Sequence, residues 1–203
     1  MRVLLSNNTG SKAKHLNEMF PDMVGHLIGP GGYRRPFPWY SIDNGRFASW
    51  AHGTSWDEKA FLSLLEKARG CQWVVVPDVV GDMDLTMREW DRWAPRLESE
   101  GFRLAMACQD GMEPRMVPDG VVAFVGGTMD WKLKVIDWFA SECERVHVGR
   151  INRERLLWYC DECGVESVDG TGWFRGNVRQ LASLERYLTR KAAGLGRWQP
   201  MLF

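Results

Sequence analysis

The most constraining feature of the chain is a repeated unit. A short, wholly apolar run ends in a polar residue or a glycine, and a stretch with helical apolar spacing follows. Trp73-Val74-Val75-Val76, ending in Pro77-Asp78, is the clearest case. A strand with one wet face alternates apolar and polar residues. A β-branched run without alternation is covered on both faces, as a parallel strand is when helices flank it.

The same unit recurs along the chain. Val3-Leu4-Leu5 leads into Ser6-Asn7-Asn8-Thr9-Gly10, and a weaker run, His26-Leu27-Ile28, leads into Gly29-Pro30-Gly31-Gly32. Tyr40-Ser41-Ile42 ends in Asp43-Asn44-Gly45, and Phe102 to Ala107 ends in Cys108-Gln109-Asp110-Gly111. Val121 to Val125 ends in Gly126-Gly127-Thr128, Val146-His147-Val148 in Gly149-Arg150, and Val165 to Val168 in Asp169-Gly170-Thr171-Gly172.

Helices are predicted between most of these runs. One spans Lys12 to Phe20. Ser55 with Glu58, and Thr86 with Glu89, have capping-box spacing. The first box opens a helix with Phe61, Leu62, Leu65 and Ala68 on one face; the second opens one with Trp90, Trp93 and Leu97, where Pro95 predicts a kink or break. Asp130, Asn152 and Asn177 are placed to cap three more, with faces through Trp131, Val135, Trp138 and Phe139, through Leu156, Leu157 and Cys160, and through Val178, Leu181, Leu184 and Leu188. The proline-rich segment from Tyr33 to Trp39 is expected to be a surface loop, and the two prolines between the fifth and sixth strands predict a reduced or missing helix there.

About eight strands with helical crossovers fit a compact (β/α)8 TIM-like barrel occupying 1–203 as a single domain. The rival is an open doubly wound sheet. An open sheet concentrates its polar strand ends at one switch point, whereas here nearly every strand has one, which favours the barrel.

With 203 residues, the chain is long enough to bury a core without disulfides. Five scattered cysteines, an odd number, predict reduced thiols and a cytoplasmic setting. No signal-peptide pattern or membrane-length apolar run is evident, so no membrane partner is expected. A formal charge of zero leaves a nucleic-acid surface to be decided by local patches rather than by the sum.

If the barrel closes, its mouth collects Asp43, Asp78, Gln109, Gly126, Gly127, His147, Arg150 and Asp169. Converging carboxylates are costly to leave unpaired. Asp and Gln together match the donor and acceptor edge of a guanine-like base, and backbone N–H groups of the Gly126-Gly127 turn can complete it. Asp169 is either an acid presented by a strand end, with glycines that leave room for a ligand, or a cap of the turn that follows. His147 is either a core histidine or a mouth residue. Arg34, Arg35 and Arg46, with Trp39 and Trp50 nearby, offer phosphate contacts and stacking, or belong to a solvated loop. Arg186, Arg190, Lys191 and Arg197 read as a solvated basic face.

The ordered set Asp43-Asn44-Gly45-Arg46-Phe47, Pro77-Asp78, Gln109-Asp110-Gly111, Gly126-Gly127 and Val168-Asp169 resembles the tRNA-guanine transglycosylases. It is more similar to their DNA-directed relatives, the DpdA proteins of phages and bacterial modification islands. Gly126-Gly127-Thr128, Trp131-Lys132 and His147-Val148-Gly149-Arg150 look like that branch, and the likeness runs from about residue 40 to 175. The resemblance implies exchange of guanine in DNA for a 7-deazaguanine such as preQ0, through a covalent sugar–enzyme intermediate and without cofactor. By resemblance Asp169 is the nucleophile and Asp43 manages protons. Asp78, Gln109, Gly126, Gly127, His147, Arg150 and Lys132 bind substrate, and DNA with a flipped guanine is the partner.

Two departures bear on these expectations. The tRNA enzymes carry a zinc subdomain after the nucleophile, but this chain has no Cys or His after Asp169. The Cys160-Asp161-Glu162-Cys163 pair precedes Asp169 and lacks a second ligand pair, so no metal is expected. The family's usual Asp-Ser-Gly-Gly-Phe is Asp-Asn-Gly-Arg-Phe here. The alternatives are a tRNA-directed transglycosylase without the zinc module, a non-catalytic nucleobase or nucleic-acid binding barrel, or an unrelated barrel enzyme. A homodimer is compatible with each of them.

Overall fold

The computed structural model describes residues 1–34, 36–175 and 178–197. Eight strands form a closed barrel in sequence order: β1 (Arg2–Ser6), β2 (Val24–Ile28), β3 (Tyr40–Ile42), β4 (Val74–Val75), β5 (Leu104–Cys108), β6 (Val122–Val125), β7 (Val146–Val148) and β8 (Ser167–Gly170). Every pairing is parallel, and β8 closes on β1 with Val3 opposite Val168 and Leu4 opposite Asp169. The expected (β/α)8 barrel is the observed fold.

The helices are α1 (Ser11–Met19), α2 (Arg46–Ala51), α3 (Glu58–Lys67), α4 (Met83–Ser99), α5 (Met129–Glu142), α6 (Glu154–Glu162), α7 (Gly172–Arg175) and α8 (Val178–Ala192). Among the described residues no helix joins β2 to β3, and a single 3-10 turn, Pro114–Met116, stands between β5 and β6. No helix is long and apolar enough to cross a membrane among the residues described.

Alternation along each strand divides the core in two. The large outer layer, between strands and helices, takes Val3, Leu5, Val24, Ile28, Ile42, Val74, Val76, Ala123, Val125, Val148 and Val168. The barrel interior takes Leu4, Leu27, Trp73, Val75, Ala105, Ala107 and Val122, with Trp39 and Phe124 against them. A TIM barrel is packed by layers of such inward side chains. The same parity carries Ser6, Asp43, His147 and Asp169 inward toward the C-terminal end of the barrel.

Several local expectations need correction. The cap of α3 is Asp57, whose carboxylate accepts from Ala60 N, not Ser55. The cap of α4 is Asp82, accepting from Leu85 N, while the Thr86 hydroxyl bonds the Val79 backbone. Thr128, not Asp130, caps α5. Asn152 does not cap α6; its side chain accepts from Gly172 N instead. The Asn177 cap lies outside the described residues. Pro95 does not break α4, which runs through it from Met83 to Ser99 with Pro95 on the exposed side. The loop before β3 is partly interior: Phe37 is buried and stacks on His26 at 3.5 Å between ring centroids. Trp39 packs against the barrel interior beneath the Arg2 guanidinium, 4.8 Å away, and so is remote from the mouth.

Candidate active site at the barrel mouth

Asp169 is 7% exposed, near the C-terminal end of β8. Its Oδ1 accepts from His147 Nε2 at 3.2 Å and from the Arg150 backbone N–H at 3.1 Å, and its Oδ2 accepts from the Ser6 hydroxyl at 3.1 Å. Arg150 holds φ near 60°, a left-handed backbone uncommon for a residue with a side chain. That conformation accompanies the turn that aims its N–H at Asp169. Burial pushes the Asp169 carboxyl up, but the His147 bond, the Arg150 N–H and the Lys132 charge outweigh it and hold the group below the usual carboxylate range.

Asp43 is in the opposite state. Burial is the largest influence and the charges of Asp169 and Asp78 add to it, raising its pKa to about 6 against the backbone N–H groups of Gly45, at 3.0 Å, and Asn44. One mouth therefore carries a carboxylate held ionised and another poised near neutrality. Environments that drive two carboxyls apart are how acid and base roles are divided.

Asp78 and Gln109 meet in a buried network just beyond β4 and β5. Asp78 Oδ1 accepts from Asn44 Nδ2 and Oδ2 from Gln109 Nε2, each at 2.8 Å, while Gln109 Oε1 accepts from Gly81 N at 3.0 Å. Burial raises the Asp78 pKa and these bonds oppose it. Asn44 also donates to Val76 O, so the network fixes the residue next to Asp43. Nothing in the sequence around Asn44 marked it as the centre of this set.

The expected backbone donors of Gly126 and Gly127 are not open to a ligand, which corrects that part of the sequence reading. Both N–H groups donate to Cys108 O, at 3.0 and 3.1 Å, and both carbonyls accept from the Arg150 guanidinium. That guanidinium also lies 4.5 Å from the centre of the Phe47 ring, linking the loops after β3 and β6 across the mouth. The Gly-Thr-Gly turn needs a similar correction. A Cβ on Gly170 would sit 2.4 Å from Asn152 Oδ1, and one on Gly172 would sit 2.7 Å from it, so these glycines admit the Asn152 side chain rather than a ligand.

Lys132, on α5, is fully buried and donates to Gly149 O beside Asp169; burial and the Arg150 charge lower its pKa to about 8. His147 is inside the barrel, not at its rim, in contact with Trp73 and Phe124 at 5.0 and 4.6 Å. Arg46 pairs with Glu89 at 2.7 Å and covers Trp56 at 4.0 Å, so its charge is already engaged. Arg34 is exposed, and Arg35 lies outside the described residues. Phe47 and Trp50 on α2 are exposed together, Trp50 to 62%. Arg186 and Lys191 pair with Glu154 and Asp161. No group of three or more His, Cys, Asp and Glu side chains is arranged to hold a metal among the described residues.

No family model and no curated protein matches this chain. Among solved structures it is similar to a chain of the BexX/CysO complex of Amycolatopsis orientalis, with TM-score 0.55 and 13% identity, covering 100% of this chain and 94% of that one. It is also similar to tryptophan synthase from M. tuberculosis, with TM-score 0.52 and 10% identity, covering 96% of this chain and 93% of that one. At such identities the likeness is one of fold, and function has to be argued from the site.

Proposed function

We propose that the protein is a DNA-guanine transglycosylase that exchanges guanine for a 7-deazaguanine base. The observation that carries this reading is a pair of unlike carboxyls in one barrel mouth, Asp169 with donors from His147, the Arg150 backbone and Ser6, and Asp43 bonded to the Gly45 N–H. The motif order adds support, since Asp43, Asp78, Gln109, Gly126, Gly127 and Asp169 lie at or just beyond the C-terminal strand ends.

In the first step Asp169 attacks C1′ of the target deoxynucleotide. The Asp169–C1′ bond forms as the C1′–N9 bond breaks, and the departing guanine takes the electron pair and a proton from Asp43. In the second step the incoming base gives its N9 proton to the Asp43 carboxylate. N9 then displaces Asp169 from C1′, and two inversions preserve the configuration of the sugar. A group with a pKa near neutrality is suited to both transfers.

A guanine-like base presents to a carboxylate the same kind of paired N–H donors that Asn44 and Gln109 present to Asp78. Recognition then proceeds by exchange of those bonds rather than by filling an empty edge. Because C1′ and the base edge are shielded inside a duplex, the target nucleotide leaves the stack.

The test supplies duplex DNA and tRNA side by side with radiolabelled preQ0 and the full chain. Label is expected in DNA, with Asp169→Ala lowering incorporation by at least about a thousandfold while thermal unfolding stays cooperative. Label in tRNA alone would move the substrate to the tRNA-directed alternative. Full incorporation by Asp169→Ala would sink the mechanism.

A further inference from the structure

The interior of the barrel holds polar partners of Asp169 that the exchange reaction, as described, does not use. Ser167 and Asp169 both point inward from β8, and His147 points inward from β7 between them. His147 Nδ1 is 2.9 Å from Ser167 Oγ, and its Nε2 is 3.2 Å from Asp169 Oδ1. Across the β1–β8 seam, Ser6 Oγ reaches the other oxygen, Oδ2.

We infer that Ser167 fixes His147 as its Nε2–H tautomer, and that His147 with the Arg150 backbone clamps Oδ1 of Asp169, leaving Oδ2, attended by Ser6, as the attacking oxygen. The inference rests on Asp169 being the nucleophile. An ionised carboxylate only accepts, so the nitrogen facing it carries the hydrogen. A neutral imidazole has one N–H, so Nδ1 is an acceptor and the Ser167 hydroxyl donates to it. The ring is fully buried against Trp73 and Phe124, and two cations already face Asp169, Lys132 from α5 and Arg150 from the loop after β7, while Asp43 faces it from the loop after β3.

Two donors on Oδ1 and one on Oδ2 make the oxygens unequal. A carboxylate oxygen accepting two bonds is the poorer nucleophile and the better carbonyl oxygen of an ester. Attack through Oδ2 therefore leaves the Oδ1 donors in place throughout. In the second step the electron pair of the Oδ2–C1′ bond returns to Oδ2, to which the Ser6 hydroxyl donates its hydrogen bond. His147, Ser167 and Arg150 are then positioning residues, and Ser6 alone touches the reacting atom.

The test has two independent readouts on the full chain. With histidine labelled by nitrogen-15, the spectrum of His147 is expected to show a protonated Nε2 and an unprotonated Nδ1. Ser167→Ala is expected to release this into a tautomer mixture. An Nδ1–H form, a cation, or an unchanged pattern in Ser167→Ala would overturn the inference, whatever the activity.

The second readout is the pH profile of covalent adduct formation with DNA. Its acidic limb is expected to move to higher pH in His147→Leu, since burial of Asp169 would then be less opposed, and to move back in His147→Gln, whose amide can donate from a similar place. Ser6→Ala is expected to slow release of the adduct to the incoming base about tenfold, the worth of one hydrogen bond, without slowing its formation. Equal slowing of both steps, or a limb that stays in place, would overturn the clamp. If the unaltered protein modifies neither DNA nor tRNA, the proposed function fails, and the nitrogen spectrum still decides whether the tautomer is held.

Discussion

Asp43 and Asp169 both point inward at the C-terminal end of the barrel, from the ends of β3 and β8, and their neighbours make them chemically unlike. Asp169 has three donors and two nearby cations, while Asp43 has the backbone N–H groups of Gly45 and Asn44 and two nearby carboxylates. A carboxyl whose pKa rises on folding stabilises the fold below its ordinary value, near 4, and loses that contribution as pH rises through about 6. Asp43→Asn removes this loss and keeps an acceptor for Gly45 N. It is expected to raise the unfolding midpoint at pH 8 by roughly 2–4 °C, with no gain at pH 4, when thermal scans are compared at the two values. Base exchange by the same variant is expected to fall by about a hundredfold or more. A stability gain independent of pH would mean that the Asp43 charge is not its source. Asp169 has the opposite sign, contributing above its unfolded pKa and losing that contribution as acid protonates it.

Among the elements, the loops after β5 and β6 are tied together at the start of α5. Asp110 Oδ1 accepts from Thr128 N at 2.5 Å and Oδ2 from the Thr128 hydroxyl at 2.6 Å, while that hydroxyl accepts from Trp131 N at 3.3 Å. The carboxylate thus orients the cap of the helix that delivers Lys132 to the site. Asp110→Ala is expected to cost about 1 kcal/mol, read as a lower urea midpoint with unchanged slope. A neutral result would mean that Thr128 caps the helix equally well alone. The helix faces were largely legible from spacing, since Phe61, Leu65, Trp93, Leu97, Leu156 and Leu157 are all buried, but Trp138 and Val178, expected on such faces, are exposed. The caps were not. Trp56 Nε1 donates to Asn44 O and Glu89 pairs with Arg46, contacts with another segment that the Ser-x-x-Glu spacing cannot anticipate.

At the scale of the whole molecule, closure decides stability and site together. The barrel interior narrows around Trp73, Phe124 and Leu4, and Gly25 on β2 is where Trp39 approaches from below. A Cβ there would lie 2.8 Å from Trp39 O and 2.9 Å from Leu4 Cδ2. Gly25→Ala is expected to cost about 1–3 kcal/mol, because a packed interior has no slack for a methyl group. The loss should appear as one cooperative transition at lower temperature by every probe. Separate transitions in near- and far-ultraviolet circular dichroism would show instead that the barrel yields locally.

The sequence by itself determined the barrel and the positions that face its mouth. Both depend on near-neighbour periodicity: continuous apolar runs need cover on two faces, and strand parity sends Asp43, His147 and Asp169 inward. Only the tertiary structure decided which polar atoms remain open for chemistry. The Gly126 and Gly127 N–H groups are taken by Cys108, the Gly-Thr-Gly turn is filled by Asn152, and Asp169 is completed by Ser6, 163 residues away. The reason is physical. A buried polar group is satisfied by whatever donor the closed fold brings near, and closure joins residues that are far apart along the chain.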